Sequence, residues 1–206
     1  EILPVVTDVT QPEQIQHMVQ KVLSHWGRVD ILVNNAGTAS AHAFENTDDT
    51  TWSADIDLKL LGAIHCIREV LPIMKERGWG RIVNITAIGG KSPDTHSTPT
   101  SVTRAAGIAL TKAISKEYAC HGILVNTVCI GLIKAGQHER RYDEVRRLEK
   151  SLTLDSYYQR MADSIPLGRV GEPLEAANAI AFLVSECASF ITGVAVNVDG
   201  GASPVV

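Results

Sequence analysis

Aromatic residues are scarce, at 5% of the 206-residue chain, and no apolar run exceeds strand length; Val29 to Val33 is already broken by Asp30. A spanning helix needs about 20 apolar residues, so a transmembrane reading is excluded. Excess positive charge is missing too. Nineteen Lys and Arg face 23 Asp and Glu, a net charge of -4, which leaves no electrostatic footprint for nucleic acid. The one basic cluster, Arg140, Arg141, Arg146 and Arg147, is interleaved with Glu139, Asp143, Glu144 and Glu149, the pattern of a solvated helix face. There is no CxxC pair. Cys66, Cys120, Cys129 and Cys187 stand far apart and the seven histidines have no metal-ligand spacing. Buried, reduced thiols in a metal-free cytoplasmic protein are the expectation. The opening Glu1-Ile2-Leu3-Pro4 has no cationic leader region, which agrees with that location.

What is present is a 45% apolar chain long enough for one full core. Ile2 to Thr7 is short and β-prone. Thr10-Gln11-Pro12-Glu13 reads as a capping box, and Ile15, Met18, Val19, Val22, Leu23 and Trp26 then recur at helical spacing up to a stop at Gly27. Ile31-Leu32-Val33 is a run without alternation, the mark of a strand buried on both faces. The alternation repeats: helices from about Trp52 to Lys75, Ser101 to Tyr118 and Leu174 to Leu183 are each followed by such a strand. Five parallel strands are predicted near 2–8, 29–34, 80–86, 123–129 and 194–198, with helices on both faces of one α/β sheet. The polar segment Lys134 to Ile165 is the one long insertion after a strand, where such sheets shape a binding site.

Four groups of residues fall in order along this frame. Asn34-Asn35-Ala36-Gly37 ends a strand. Gly80-Arg81-Ile82-Val83-Asn84-Ile85 leads into Thr86-Ala87-Ile88-Gly89-Gly90. Asn126-Thr127-Val128-Cys129-Ile130-Gly131 ends another strand, and Ile165-Pro166-Leu167-Gly168-Arg169 with Asp199-Gly200-Gly201 closes the chain. Together they resemble the short-chain dehydrogenase/reductase family, from Ile2 to Ala202. The resemblance implies a Rossmann-like doubly wound parallel sheet, residues 1–206 as one domain with 134–165 as its substrate loop, and an NAD or NADP cofactor. The family's glycine-rich phosphate turn and its first βαβ portion have no counterpart in these residues, so the resemblance implies a truncated or partly observed chain.

Position by position, the family's catalytic tetrad is replaced. Its serine corresponds to Ala87, its tyrosine to Thr100, its lysine to Arg104 and its asparagine to Lys59. Tyr118, Tyr142, Tyr157 and Tyr158 all come later and none is followed by lysine four residues on. Tyrosine ionises near pH 10 and is brought lower by a cation, whereas a threonine hydroxyl is a far weaker acid. Arginine keeps the charge of the lysine but holds its protons. Lys59 adds a cation, either as substitute proton donor or anion site, or as a snorkelling side chain paired with Asp55. His96, in the loop before Thr100, is a second candidate donor. The groove is better kept: Asp8 and Val9 match the adenine contact, Asn35, Ala36 and Gly37 the ribose contact, and Ile133 the nicotinamide contact, with Arg104 able to hold ribose hydroxyls.

Two readings stay open on these residues. One is an oxidoreductase that transfers hydride between a nicotinamide and a small carbonyl or alcohol, with an atypical proton donor. The other is a catalytically silent relative that binds a nucleotide or serves in an assembly. A homo-oligomer, a tetramer by resemblance, is expected from the apolar last strand and from Ile64, Ile67, Leu71, Ile108, Leu110 and Ile114.

Overall fold

A computed structural model describes all residues, Glu1 to Val206. Four parallel strands form the sheet: β1 (Ile31–Asn34), β3 (Gly80–Ala87), β5 (Ile123–Ile130) and β6 (Ala195–Val198), side by side in that order. Ile31 stands opposite Arg81, Gly80 opposite Ile123 and Thr127 opposite Ala195. Two two-residue strands, β2 (Ala41–His42) and β4 (Thr98–Pro99), pair antiparallel beside this sheet.

Helices cover both faces of the two central strands, β3 and β5, as their uninterrupted apolar runs require. On one face α1 (Pro12–Trp26), α3 (Gly62–Arg77) and α4 (Thr100–Tyr118) enclose Ile82, Ile123 and Val125 with Val19, Ile67, Val70, Leu71 and Met74. On the other, α7 (Pro173–Val184) sets Leu183 against Val83, Ile85 and Val128. Neighbours Ile82 and Val83 therefore serve opposite layers, as the two-residue strand period dictates.

Buried amides and hydroxyls stitch the strand ends together. Asn34 Nδ2 donates to Asn84 Oδ1 (2.8 Å), Asn84 Nδ2 to Thr111 Oγ1 (2.8 Å), and Thr127 Oγ1 to Thr111 Oγ1 (2.7 Å). The chain thus links β1, β3 and β5 to α4.

The structure departs from the sequence expectations in five places. β1 is not buried on both faces: it is an edge strand, and Ile31 and Val33 stand exposed on its uncovered face. Of the cysteines, Cys66 and Cys129 are buried, but Cys120, after α4, and Cys187, after α7, lie exposed at helix ends. Residues 2–8 form no strand. They pair with nothing, and Ile2 and Val6 are fully open to solvent, because no strand among these residues lies beside them. The capping box does not form either. The Asp8 carboxylate takes the Thr10 N–H (2.9 Å) and hydroxyl (2.8 Å), so Gln11 caps α1 without a side-chain bond and Pro12 opens it. Finally, Ile67 and Leu71 lie in the core and Leu110 and Ile114 pack against it, so these four are consumed within one chain.

The helix expected from Trp52 to Lys75 is three pieces on one rod: α2 (Asp49–Ile56), a π turn (Asp57–Leu61) and α3. The π turn closes with the Gly62 N–H on the Asp57 carbonyl. Asp55, Lys59, Gly62, Cys66, Val70 and Met74 are buried in succession along it. The extra residue keeps one buried line continuous past Lys59; such turns gather at functional sites. The insertion after β5 holds α5 (Gly136–Leu148) and α6 (Leu154–Ala162), with Tyr142, Tyr157 and Tyr158 packed in sequence between them.

Candidate active site

A cavity of about 220 Å³ opens at the carboxyl ends of β1 and β3. Val9, Asn35, Ala36, Ile85, Lys59 and Arg104 are among its lining residues. In an open parallel sheet this is where ligands bind.

Lys59 sits on the π turn with its side chain 1% exposed; it does not snorkel. Its ammonium is paired with the Asp55 carboxylate and donates to Thr100 Oγ1 at 2.7 Å. Thr100, the first residue of α4, also accepts from the Ser40 N–H at 2.8 Å. The second Asp55 oxygen takes the Thr103 hydroxyl at 2.6 Å. Two of the three ammonium protons of Lys59 are thereby placed. Burial pushes the Lys59 pKa below the usual lysine value; the Asp55 carboxylate opposes this and the Arg104 charge adds to it.

Arg104 lies one helix position beyond Thr103. Its Nη1 donates to the Ile85 carbonyl at 2.6 Å, no carboxylate pairs with it, and its buried Nε has no partner. A Cβ on Gly37 would lie 3.0 Å from Arg104 Nη2, so the guanidinium tip packs directly against this glycine. Gly62 is similarly close to Val9, at 3.1 Å.

The other predicted positions separate. Ala87 ends β3 opposite Ile130 and offers only a methyl group. Ile133 lines a different cavity, of about 240 Å³, and bridges to Gly171. Asp8 is held by Thr10 beside the start of α1. His96 is exposed at φ +54° and makes no hydrogen bond to the Lys59 network. Ser40 and Thr103 were missed from sequence, and Asp55 was seen only as a partner for a snorkelling lysine. The i to i+4 spacing of Asp55 and Lys59 was the one available signal.

The residues present fit a nicotinamide dinucleotide. Arg104, on the cavity wall, has an orphaned donor, and Asn35 and Ala36 line the same cavity with the side-chain-free Gly37 beside the guanidinium. A doubly wound sheet with this cleft defines a dinucleotide-dependent oxidoreductase class. The family described as enoyl-(acyl carrier protein) reductase matches residues 1–203. Nodulation protein G of Azospirillum brasilense is 35% identical over 194 residues, 94% of this chain and 74% of that protein. The 3-oxoacyl-(acyl-carrier-protein) reductase of Thermotoga maritima is 34% identical over 198 residues, 96% of this chain and 76% of that protein. Among solved structures, an NADPH-bound short chain oxidoreductase of Pseudomonas aeruginosa, described as containing an atypical catalytic center, superposes with a TM-score of 0.89. It is 33% identical, with 98% of this chain and 76% of that chain covered. An actinorhodin polyketide ketoreductase variant with NADPH gives a TM-score of 0.87 at 33% identity, covering 97% and 77%. The chain belongs to the short-chain dehydrogenase/reductase family, a family of NAD(P)-dependent oxidoreductases.

Proposed function

We propose that this protein is an NADP(H)-dependent carbonyl reductase in which the Lys59 ammonium, rather than a tyrosine, gives the proton to the substrate oxygen. The observation that carries the reading is the buried Lys59 ammonium bonded to Thr100 at the tyrosine's position. Relatives solved with NADPH support the cofactor. When bound, the nicotinamide supplies or accepts a hydride. Val9, Asn35, Ala36 and Gly37 border the adenosine side; Ile133, which lines the other cavity, is assigned to the nicotinamide side by resemblance alone. Arg104 holds ribose hydroxyls with its fork and keeps its charge throughout.

Lys59 does the proton work. Two of its N–H groups are fixed by Asp55 and Thr100, which leaves the third for a carbonyl oxygen. As that oxygen gains electron density it takes the proton, and the lysine is left as a neutral amine that water reprotonates. Burial favours the neutral amine, so the ammonium is a stronger acid than a solvated lysine. Ala87 has no hydroxyl for the substrate oxygen, so its orientation falls to Lys59. Helices α5 and α6 border the substrate. The proposal includes a cytoplasmic homo-oligomer; no helix is long and apolar enough to cross a membrane.

The test is NADPH consumption with a panel of ketones and 3-oxoacyl thioesters. Turnover is expected for the wild-type protein, with a loss of about 10²–10⁴-fold in Lys59→Met, the range for a general acid. Cofactor binding without turnover across the panel would instead establish the silent reading.

A further inference from the structure

We propose that Asp55 and Thr103 form a carboxylate–hydroxyl clamp that aims the Lys59 ammonium at the substrate and keeps it charged. They are positioning residues that touch neither substrate nor cofactor. The inference rests on Lys59 as proton donor.

Three facts point to it. Asp55 has a side chain 2% exposed, on the turn of helix before Lys59, and an isolated carboxylate there would be very costly. Both its oxygens are engaged, one by Lys59 and the other by Thr103 at 2.6 Å. The Thr103 and Thr100 hydroxyls come from adjacent turns of α4, so one helix end holds both the carboxylate and the ammonium. The circuit runs through α2, the π turn and α4, and it restrains Lys59 from two sides.

A structural ion pair would not need this arrangement. Buried pairs are often no better for stability than apolar residues of the same volume. Here the pair lies beside the cleft, and two hydroxyls from a third element finish its hydrogen bonding. Two charged groups bear on Lys59: Asp55, which favours the ammonium, and Arg104 on α4, which disfavours it. Without Asp55, burial and Arg104 act unopposed, and the lysine loses its proton at lower pH.

Asp55→Asn keeps the shape and removes the charge. Turnover requires protonated Lys59 and falls as pH rises through its pKa, so the alkaline limb of the kcat profile should move to lower pH. At pH 7.5 kcat should drop at least about tenfold and recover on acidification, with the KM for NADPH unchanged. NMR titration of the Lys59 ε-methylene, without cofactor, should show the same downward shift. Thr103→Val keeps the ion pair and guards against a variant that fails to fold; with the ammonium less well aimed, it should lower kcat across the pH profile by a smaller step than Asp55→Asn. Unchanged profiles and titrations in both variants, with Lys59→Met inactive, would overturn the clamp and leave Lys59 as donor. An active Lys59→Met would overturn both readings.

Discussion

Lys59 and Thr100 are separated by 41 positions, and that distance sets what was legible at the residue scale. The resemblance implies that each tetrad residue is replaced, and the pairing of Asp55 with Lys59 could be read from their spacing. That Lys59 is buried rather than snorkelling could not, because it depends on α4 closing over the π turn and on the hydroxyls of Thr100 and Thr103. Arg104 was legible as a retained cation. Its freedom from any carboxylate is a property of the packed cleft. A buried guanidinium with one carbonyl partner and an orphaned Nε has donors left for a ligand. Arg104→Met should therefore weaken NADPH binding by about 10-fold or more, the loss of a charge-assisted hydrogen bond. Fluorescence titration of the cofactor checks this, and an unchanged dissociation constant would remove Arg104 from the groove.

At the scale of elements, the apolar runs at 80–85 and 123–128 declared their strands because a strand buried on both faces needs no alternation; the run at 31–33 is a strand too, but an edge one with Ile31 and Val33 exposed. The structure extends β3 to Ala87 and β5 to Ile130. The π turn left no mark, since Leu58, Leu60 and Leu61 satisfy several helical phases at once. The amino-terminal segment has strand-forming residues but no neighbour, and β-propensity without a partner makes no strand. Glycine stops were readable where the turn demands them. Gly122, between α4 and β5, has φ +70°, and a Cβ there would come 2.2 Å from the Gly78 carbonyl oxygen. Gly122→Ala should cost about 2 kcal/mol or more from the left-handed backbone and the clash. For a chain of this size that lowers Tm by roughly 4–8 °C in a thermal melt. An unchanged Tm would mean that the two loops part without cost.

For the whole molecule, family, sheet and cleft were legible from motif order, while assembly and chemistry depend on surfaces that motifs do not encode. β6 is an edge strand, and Leu174, Phe182, Phe190 and Val196 are exposed on or near α7 and β6. Unpaired edges and apolar patches of this kind call for cover. The proposed homo-oligomer should sediment above monomer mass at micromolar concentration, and a monomer there would remove it. The chemistry of the site converges on one ammonium group. The direct test is kcat for carbonyl reduction in Lys59→Met and Thr100→Val, side by side, at saturating NADPH. The account predicts a loss of about 10²–10⁴-fold for Lys59→Met and less than about tenfold for Thr100→Val. A hundredfold loss in Thr100→Val with turnover retained in Lys59→Met would make the threonine hydroxyl the working acid and contradict it.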